Sequence, residues 1–261
     1  FVEFLRERRP VIISDEAHHY QQKKTTEAIL ELLPSAVLEF TATSLEKGGE
    51  SESFGQNNLY KYPMQRYINE GYGKRIFAVG CGTSDEKVTD EVSESDKQKL
   101  VWGMLIHLLK WESLSAVNAP VKKAMLLTKA RSIKHADAID TYLKNWPDSV
   151  SGEVDEVLEQ VNREGTDIAK IVRQYTPKNK TDLVKKLSAV AKSVFTIHSE
   201  NKSDDEIWTD YQSLDDNKAE IVNQVRIFSE GVDYDNFYTI VVLGDTVEKV
   251  GLAAAQLIGR G

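Results

Sequence analysis

Apolar positions along this chain change period repeatedly, from runs of three to five in a row to recurrence every three or four residues. Residues 1–9 are amphipathic and read as the end of a helix. Val11-Ile12-Ile13 then predicts a strand over 10–14, followed by a helix over about 22–33 and a strand over 36–41. Residues 44–58 are rich in Gly, Ser and Glu and show no apolar period, which predicts a mobile polar loop. A short helix over 63–70 and a strand over 75–80 follow. Strands alternating with helices are the pattern of a parallel sheet.

Residues 84–96 are acidic and lack any large aromatic, so they are the best candidate linker. The resulting division is a first unit over 1–83, a linker over 84–97 and a second unit over 98–261. From about residue 97, Leu100, Met104, Leu108 and Trp111 recur at helical spacing and are expected to pack a core. A strand over 123–128 and a helix over 132–143, with Ala136, Ile139 and Leu143 on one face, come next. Amphipathic helices are predicted over 152–174 and 181–191, a strand over 195–198, and helices over 204–212 and 217–223. Strands over 225–228 and 239–243 and a helix over 248–257 end the chain. The order predicts an α/β architecture with a doubly wound sheet.

With 261 residues, 41% of them hydrophobic, the chain can fill two cores. It has no run of about 18 apolar residues and no basic-then-apolar segment at its start, so neither a membrane partner nor a signal segment is expected. A lone Cys81 excludes a disulfide framework or a cysteine zinc site within these residues and suits a reducing, cytoplasmic setting. The net charge of −8 argues against wholesale coating by nucleic acid. A local basic track remains compatible with it, because phosphate binding depends on where Lys and Arg cluster.

The candidate chemistry lies where the first strand stops, at Asp15-Glu16-Ala17-His18. Ligands of parallel α/β sheets sit beyond the carboxyl ends of the strands. One carboxylate there can hold Mg²⁺ while its neighbour orients a hydrolytic water, the two tasks phosphoryl transfer asks of acidic side chains. Phe40-Thr41-Ala42-Thr43 closes the second strand, and Phe228-Ser229-Glu230-Gly231-Val232-Asp233 and Gln256-Leu257-Ile258-Gly259-Arg260-Gly261 follow late in the chain. Each is a weak signal alone.

In that order, the four blocks resemble motifs II, III, V and VI of superfamily 2 helicases of the DEAH type. Arg9-Pro10-Val11-Ile12-Ile13 ahead of the acidic box, Leu38-Glu39-Phe40-Thr41-Ala42-Thr43, and Leu59-Tyr60-Lys61-Tyr62-Pro63 followed by Glu70-Gly71-Tyr72-Gly73-Lys74-Arg75-Ile76 together resemble the Res subunits of type III restriction enzymes. The likeness covers roughly residues 4–80 and 220–261. It implies two RecA-like domains, the first incomplete at its N-terminus, with ATP and Mg²⁺ bound between them. It assigns Asp15 and Glu16 to the metal, Glu16 also to the attacking water, and His18 to a link with Gln256. Thr41 and Thr43 would couple nucleotide state to domain closure. Gly231, Asp233 and Gly259 would approach the nucleotide, and Arg260 would be an arginine finger.

No Gly-x-x-x-x-Gly-Lys-Ser/Thr phosphate loop occurs, and the second arginine usual in motif VI is missing after Arg260. The expectation is therefore an internal stretch of a longer protein that hydrolyses ATP poorly alone. No Pro-Asp…Glu-x-Lys nuclease signature is visible. The implied function is an ATP-dependent DNA helicase or translocase, with duplex DNA as the expected partner and a methyltransferase subunit too in a true restriction system. An RNA helicase and a non-catalytic module on a decayed core are the alternatives. His107 is expected in the core, His19 and Tyr20 in packing or at the surface. His135 stays open, as does His198, which ends a strand where such enzymes touch nucleic acid.

Overall fold

The computed structural model describes residues 1–15, 17, 23–41, 59–72, 89–117, 123–146, 152–163, 165, 169–170, 172–173, 179–200, 202–214, 216, 218–225 and 236–243. The chain divides into two compact units, Phe1–Gly73 and Lys74–Gly261.

In the first unit, α1 (Val2–Arg8) leads to β1 (Val11–Ser14), α2 (Lys23–Glu31) to β2 (Ala36–Glu39), and α3 (Met64–Asn69) follows. Both helix-to-strand connections use one device. Arg9 (φ 47°) and Leu33 (φ 51°) adopt the left-handed conformation, and each is followed by a proline, Pro10 and Pro34, which cannot continue a helix. Ser35 N–H donates to the Pro10 carbonyl at 2.9 Å, joining the two connectors. The strands therefore start level and run parallel, Val11 opposite Ala36 through Ser14 opposite Glu39. Val11, Ile13, Ala36 and Leu38 share one face and are exposed, whereas Ile12, Ser14, Val37 and Glu39 on the other are half-buried.

The second unit contains α4 (Glu94–Ala116), β3 (Met125–Lys129), α5 (Ile133–Lys144), α6 (Gly152–Arg163), α7 (Lys180–Lys192), β4 (Val194–Ile197), α8 (Asp204–Gln212), β5 (Ile221–Gln224) and β6 (Phe237–Val242). Its strands pair in the order β4-β5-β3-β6, every pair parallel. One face carries Leu126, Ile221 and Val241 against residues of α4, α5, α6 and α7. The other carries Met125, Leu127, Ile197, Val222 and Phe237 against Leu214, with Ile207 and Tyr211 of α8 packed alongside. The protein is thus α/β with parallel sheets, as the alternation of periods predicts.

Gly103, midway along α4, is what lets that helix lie on the sheet. A Cβ at this position would fall 2.3 Å from Val241 Cγ2 and 3.3 Å from Leu126 Cδ1. Leu100 and Met104 are fully buried, but Trp111 is 38% exposed and not the core residue expected, because α4 is solvent-facing over most of its last turns.

Three further expectations are corrected. The helix predicted over 217–223 is instead β5, a central strand buried at all four positions. Asn223 and Gln224 interrupt the apolar run at its end, and the strand expected over 225–228 lies outside the described residues beyond Val225. The helix over 152–174 is not continuous, since α6 stops at Arg163 and Gly165 is irregular. Glycine disfavours helix interiors by about 1 kcal/mol. Finally, α4 starts at Glu94 rather than 97, nucleated by a capping box in which Ser93 and Asp96 satisfy each other's backbone N–H groups. The strand over 75–80, the loop over 44–58 and the helix over 248–257 lie outside the described residues. No helix among the described residues is long and apolar enough to cross a membrane.

Candidate functional site

Pairing β1 with β2 in parallel puts both carboxyl ends at one edge of the first sheet. Phe40 N–H donates to the Ser14 carbonyl at 2.8 Å, and Ala17 N–H donates to the Phe40 carbonyl at 2.9 Å. The chain on either side of Glu16 is therefore stitched to the residue just before Thr41. Ala17 is fully buried, which anchors the turn, while Asp15, two residues earlier, is exposed. Thr41, half-buried, begins where β2 has ended. This brings together two of the predicted site residues, Asp15 and Thr41, at a strand-end edge of the kind that binds ligands in α/β proteins.

The other predicted residues, Glu16, His18, Thr43, Gly231, Asp233, Gln256, Gly259 and Arg260, lie outside the described residues. No group of three or more His, Cys, Asp or Glu converges on a metal among the described ones. Mg²⁺ does not require such a group, since it keeps several waters and is held by one or two carboxylates plus substrate phosphates. An exposed Asp15 carboxylate at the strand end is a hard oxygen donor of that kind.

Glu39 belongs to the Leu38–Thr43 block but carries no task in the motif assignment. It is the last residue of β2, opposite Ser14, and burial pushes its carboxyl above the ordinary value. A single ionisable residue closing the aliphatic run Ala36-Val37-Leu38 was the available signal.

In the second unit β5 holds two buried polar side chains at its carboxyl end. Asn223 accepts from the Thr128 hydroxyl at 2.9 Å and donates to the Ala136 carbonyl at 2.8 Å and to Thr196 Oγ1 at 3.2 Å. Thr196 in turn donates to Asp140 at 2.7 Å, so one network joins β3, β4, β5 and α5. Gln224 is fully buried, and neither end of its amide has a hydrogen-bond partner among the described residues.

Each of the three described histidines lies beside a carboxylate. His107 is buried, as expected, with Nε2 3.2 Å from the Glu220 carboxylate. His135 is fully buried at the start of α5, with Nε2 3.3 Å from Asp96 and Nδ1 accepting from Arg131 N–H. His198 pairs with Asp137 at 3.3 Å.

No curated protein and no solved structure matches the chain. A family model does: residues 2–46, which hold β1, the acidic box, α2, β2 and the Phe40–Thr43 block, match the res subunit of type III restriction enzymes.

Proposed function

We propose that the protein is the core of a nucleic-acid-dependent ATPase motor, a helicase or translocase built like a type III Res subunit and acting on DNA. The observation that carries this reading is the shared strand edge. Asp15 and Thr41 both lie just beyond the carboxyl ends of adjacent parallel strands, joined there by the Ala17–Phe40 hydrogen bond, inside the segment that matches the res-subunit family. In this reading the two units, divided after Gly73, are RecA-like.

Asp15 and Glu16 would hold Mg²⁺, and bound Mg²⁺·ATP would supply the phosphoryl group and the charge that offsets its oxygens. Glu16 takes a proton from the attacking water. His18 positions the acidic box against Gln256, and Thr41 and Thr43 report its state to the rest of the fold through their hydroxyls. Gly231, Asp233 and Gly259 approach the nucleotide, glycine permitting close backbone approach. Arg260 meets the charge that develops on the transferred group. Four groups of matching chemistry, Asp15, Glu16, Gln256 and Arg260, argue against a decayed core.

ATP hydrolysis measured with duplex DNA, single-stranded DNA and RNA tests the assignment, in a polypeptide carrying these residues together with a phosphate loop ahead of Phe1. Stimulation by DNA above RNA is expected. Preferential stimulation by RNA would replace DNA as the track, and no stimulation by any of the three would overturn the motor.

A further inference from the structure

Four tyrosines within residues 60–72 form a continuous aromatic chain. Tyr60 stacks on Tyr62 (centroids 6.3 Å, planes 16° apart), Tyr62 meets Tyr67 edge-on at 6.2 Å, and Tyr67 meets Tyr72 at 6.1 Å. The inner members are fixed. Tyr62 donates its hydroxyl to Glu70, Arg66 binds Glu70 in turn, and the Arg66 guanidinium lies 5.3 Å from the Tyr62 ring centre. Gly71, at φ +83°, turns the chain so that Tyr72 N–H returns to the Tyr67 carbonyl. The outer members are open, Tyr60 at 72% and Tyr72 at 68% exposure. The exposed faces of Tyr60 and Tyr72, held beside a fixed pair, are open to a ligand with flat faces.

The local charge selects which ligand. In a chain of net charge −8, residues 59–72 carry Lys61 and Arg66 against a single carboxylate, Glu70, and Lys74 and Arg75 follow directly in sequence. Cations interleaved with exposed aromatic rings suit a polymer of phosphates and bases, the combination by which single strands are held through stacking and phosphate neutralisation. Duplex bases have their faces covered by their neighbours and offer no such contact.

We infer that Tyr60 and Tyr72 are the outer steps of a platform on which bases of a single-stranded polynucleotide stack, with Lys61 and Arg66 beside its phosphates. The inference rests on the motor reading, and it names the strand form that this surface of the first unit takes.

The test is binding without ATP by the 261-residue chain, using fluorescence anisotropy with labelled oligo-dT, oligo-rU and a blunt DNA duplex. The chain should prefer the single strands, and affinity should fall as salt rises. The double variant Tyr60→Ala/Tyr72→Ala should weaken oligo-dT binding at least tenfold while leaving duplex binding unchanged. Tyr60→Phe/Tyr72→Phe, which keeps the rings, should bind like the parent. Should the alanine variant fold poorly, photocrosslinking of 5-iodouracil-substituted oligo-dT to the parent chain decides, with Tyr60 or Tyr72 as the attachment sites expected. Tenfold weakening without the rings, or attachment at either ring, supports the platform. Unchanged binding, or attachment only elsewhere, overturns it and leaves the motor reading standing. Binding to none of the three probes overturns both.

Discussion

Glu70 accepts hydrogen bonds from the Tyr62 hydroxyl at 2.5 Å and from Arg66 at 2.6 Å, and these two contacts hold its carboxyl below the ordinary value. A carboxyl depressed by folding adds stability that is present above its unfolded pKa, about 4.3, and disappears as pH falls through the lower folded value. Tyr62→Phe removes the larger cause, so the Glu70 carboxyl resonance should titrate at higher pH, nearer the ordinary value. An unmoved titration would contradict the contact. The same hydrogen bond pushes the Tyr62 phenol up to about 12. Ultraviolet titration should therefore show a tyrosine fraction that ionises late and is lost in Tyr62→Phe. At this scale the sequence was legible where a residue's chemistry and its place coincided. Asp15 could be read because it ends an aliphatic strand, whereas Glu39, ending its partner strand, has a motif neighbourhood but no motif role, and only the fold shows the burial that raises its carboxyl.

At the level of elements, Gly103 sets how closely α4 approaches β6 and β3. Gly103→Ala would gain about 1 kcal/mol of helix propensity. The new methyl would meet the β-branched Val241, and overpacking of this sort costs about 1–3 kcal/mol. A net loss, read as a lower Tm, is expected, and a rise would mean that α4 is free to lift. Asn223 fixes β5 in the same way. Asn223→Ala should destabilise by about 1–3 kcal/mol, because the buried Thr128 hydroxyl is left unpaired, and denaturant unfolding measures it. These polar contacts also explain the failed assignment of β5. Asn and Gln disfavour strands in isolation, and only the Thr128 hydroxyl and the Ala136 carbonyl make Asn223 a good central-strand residue. The capping box before α4 was readable in principle as Ser93-x-x-Asp96, but the surrounding acidic run suggested a linker. The strands of the first unit were easier, since each follows a left-handed residue and a proline.

On the scale of the molecule, two units of parallel strands are what a nucleotide-driven motor would be assembled from, and Asp15 lies just past the end of β1 in the first. Of the candidate site, the described residues show Asp15 and Thr41 just beyond the ends of β1 and β2, a placement the two strand-end motifs made legible; the late motifs lie outside the described residues. Arg260 belongs to this scale, because a finger supplied from the second unit would make hydrolysis depend on closure. Arg260→Ala should spare nucleic-acid binding and lower ATP turnover by roughly three orders of magnitude. Turnover within a few-fold of the parent would give that role to another residue.

The measurement closest to the central claim is a comparison of Glu16→Gln with the parent sequence, in a polypeptide that also carries a phosphate loop ahead of Phe1. ATP and Mg²⁺ affinity would be read by calorimetry and DNA-stimulated turnover by phosphate release. If Glu16 handles the proton of the attacking water, the amide should keep ATP and Mg²⁺ binding within a few-fold and lower turnover about a hundredfold or more. Turnover near that of the parent, with binding intact, would contradict the account.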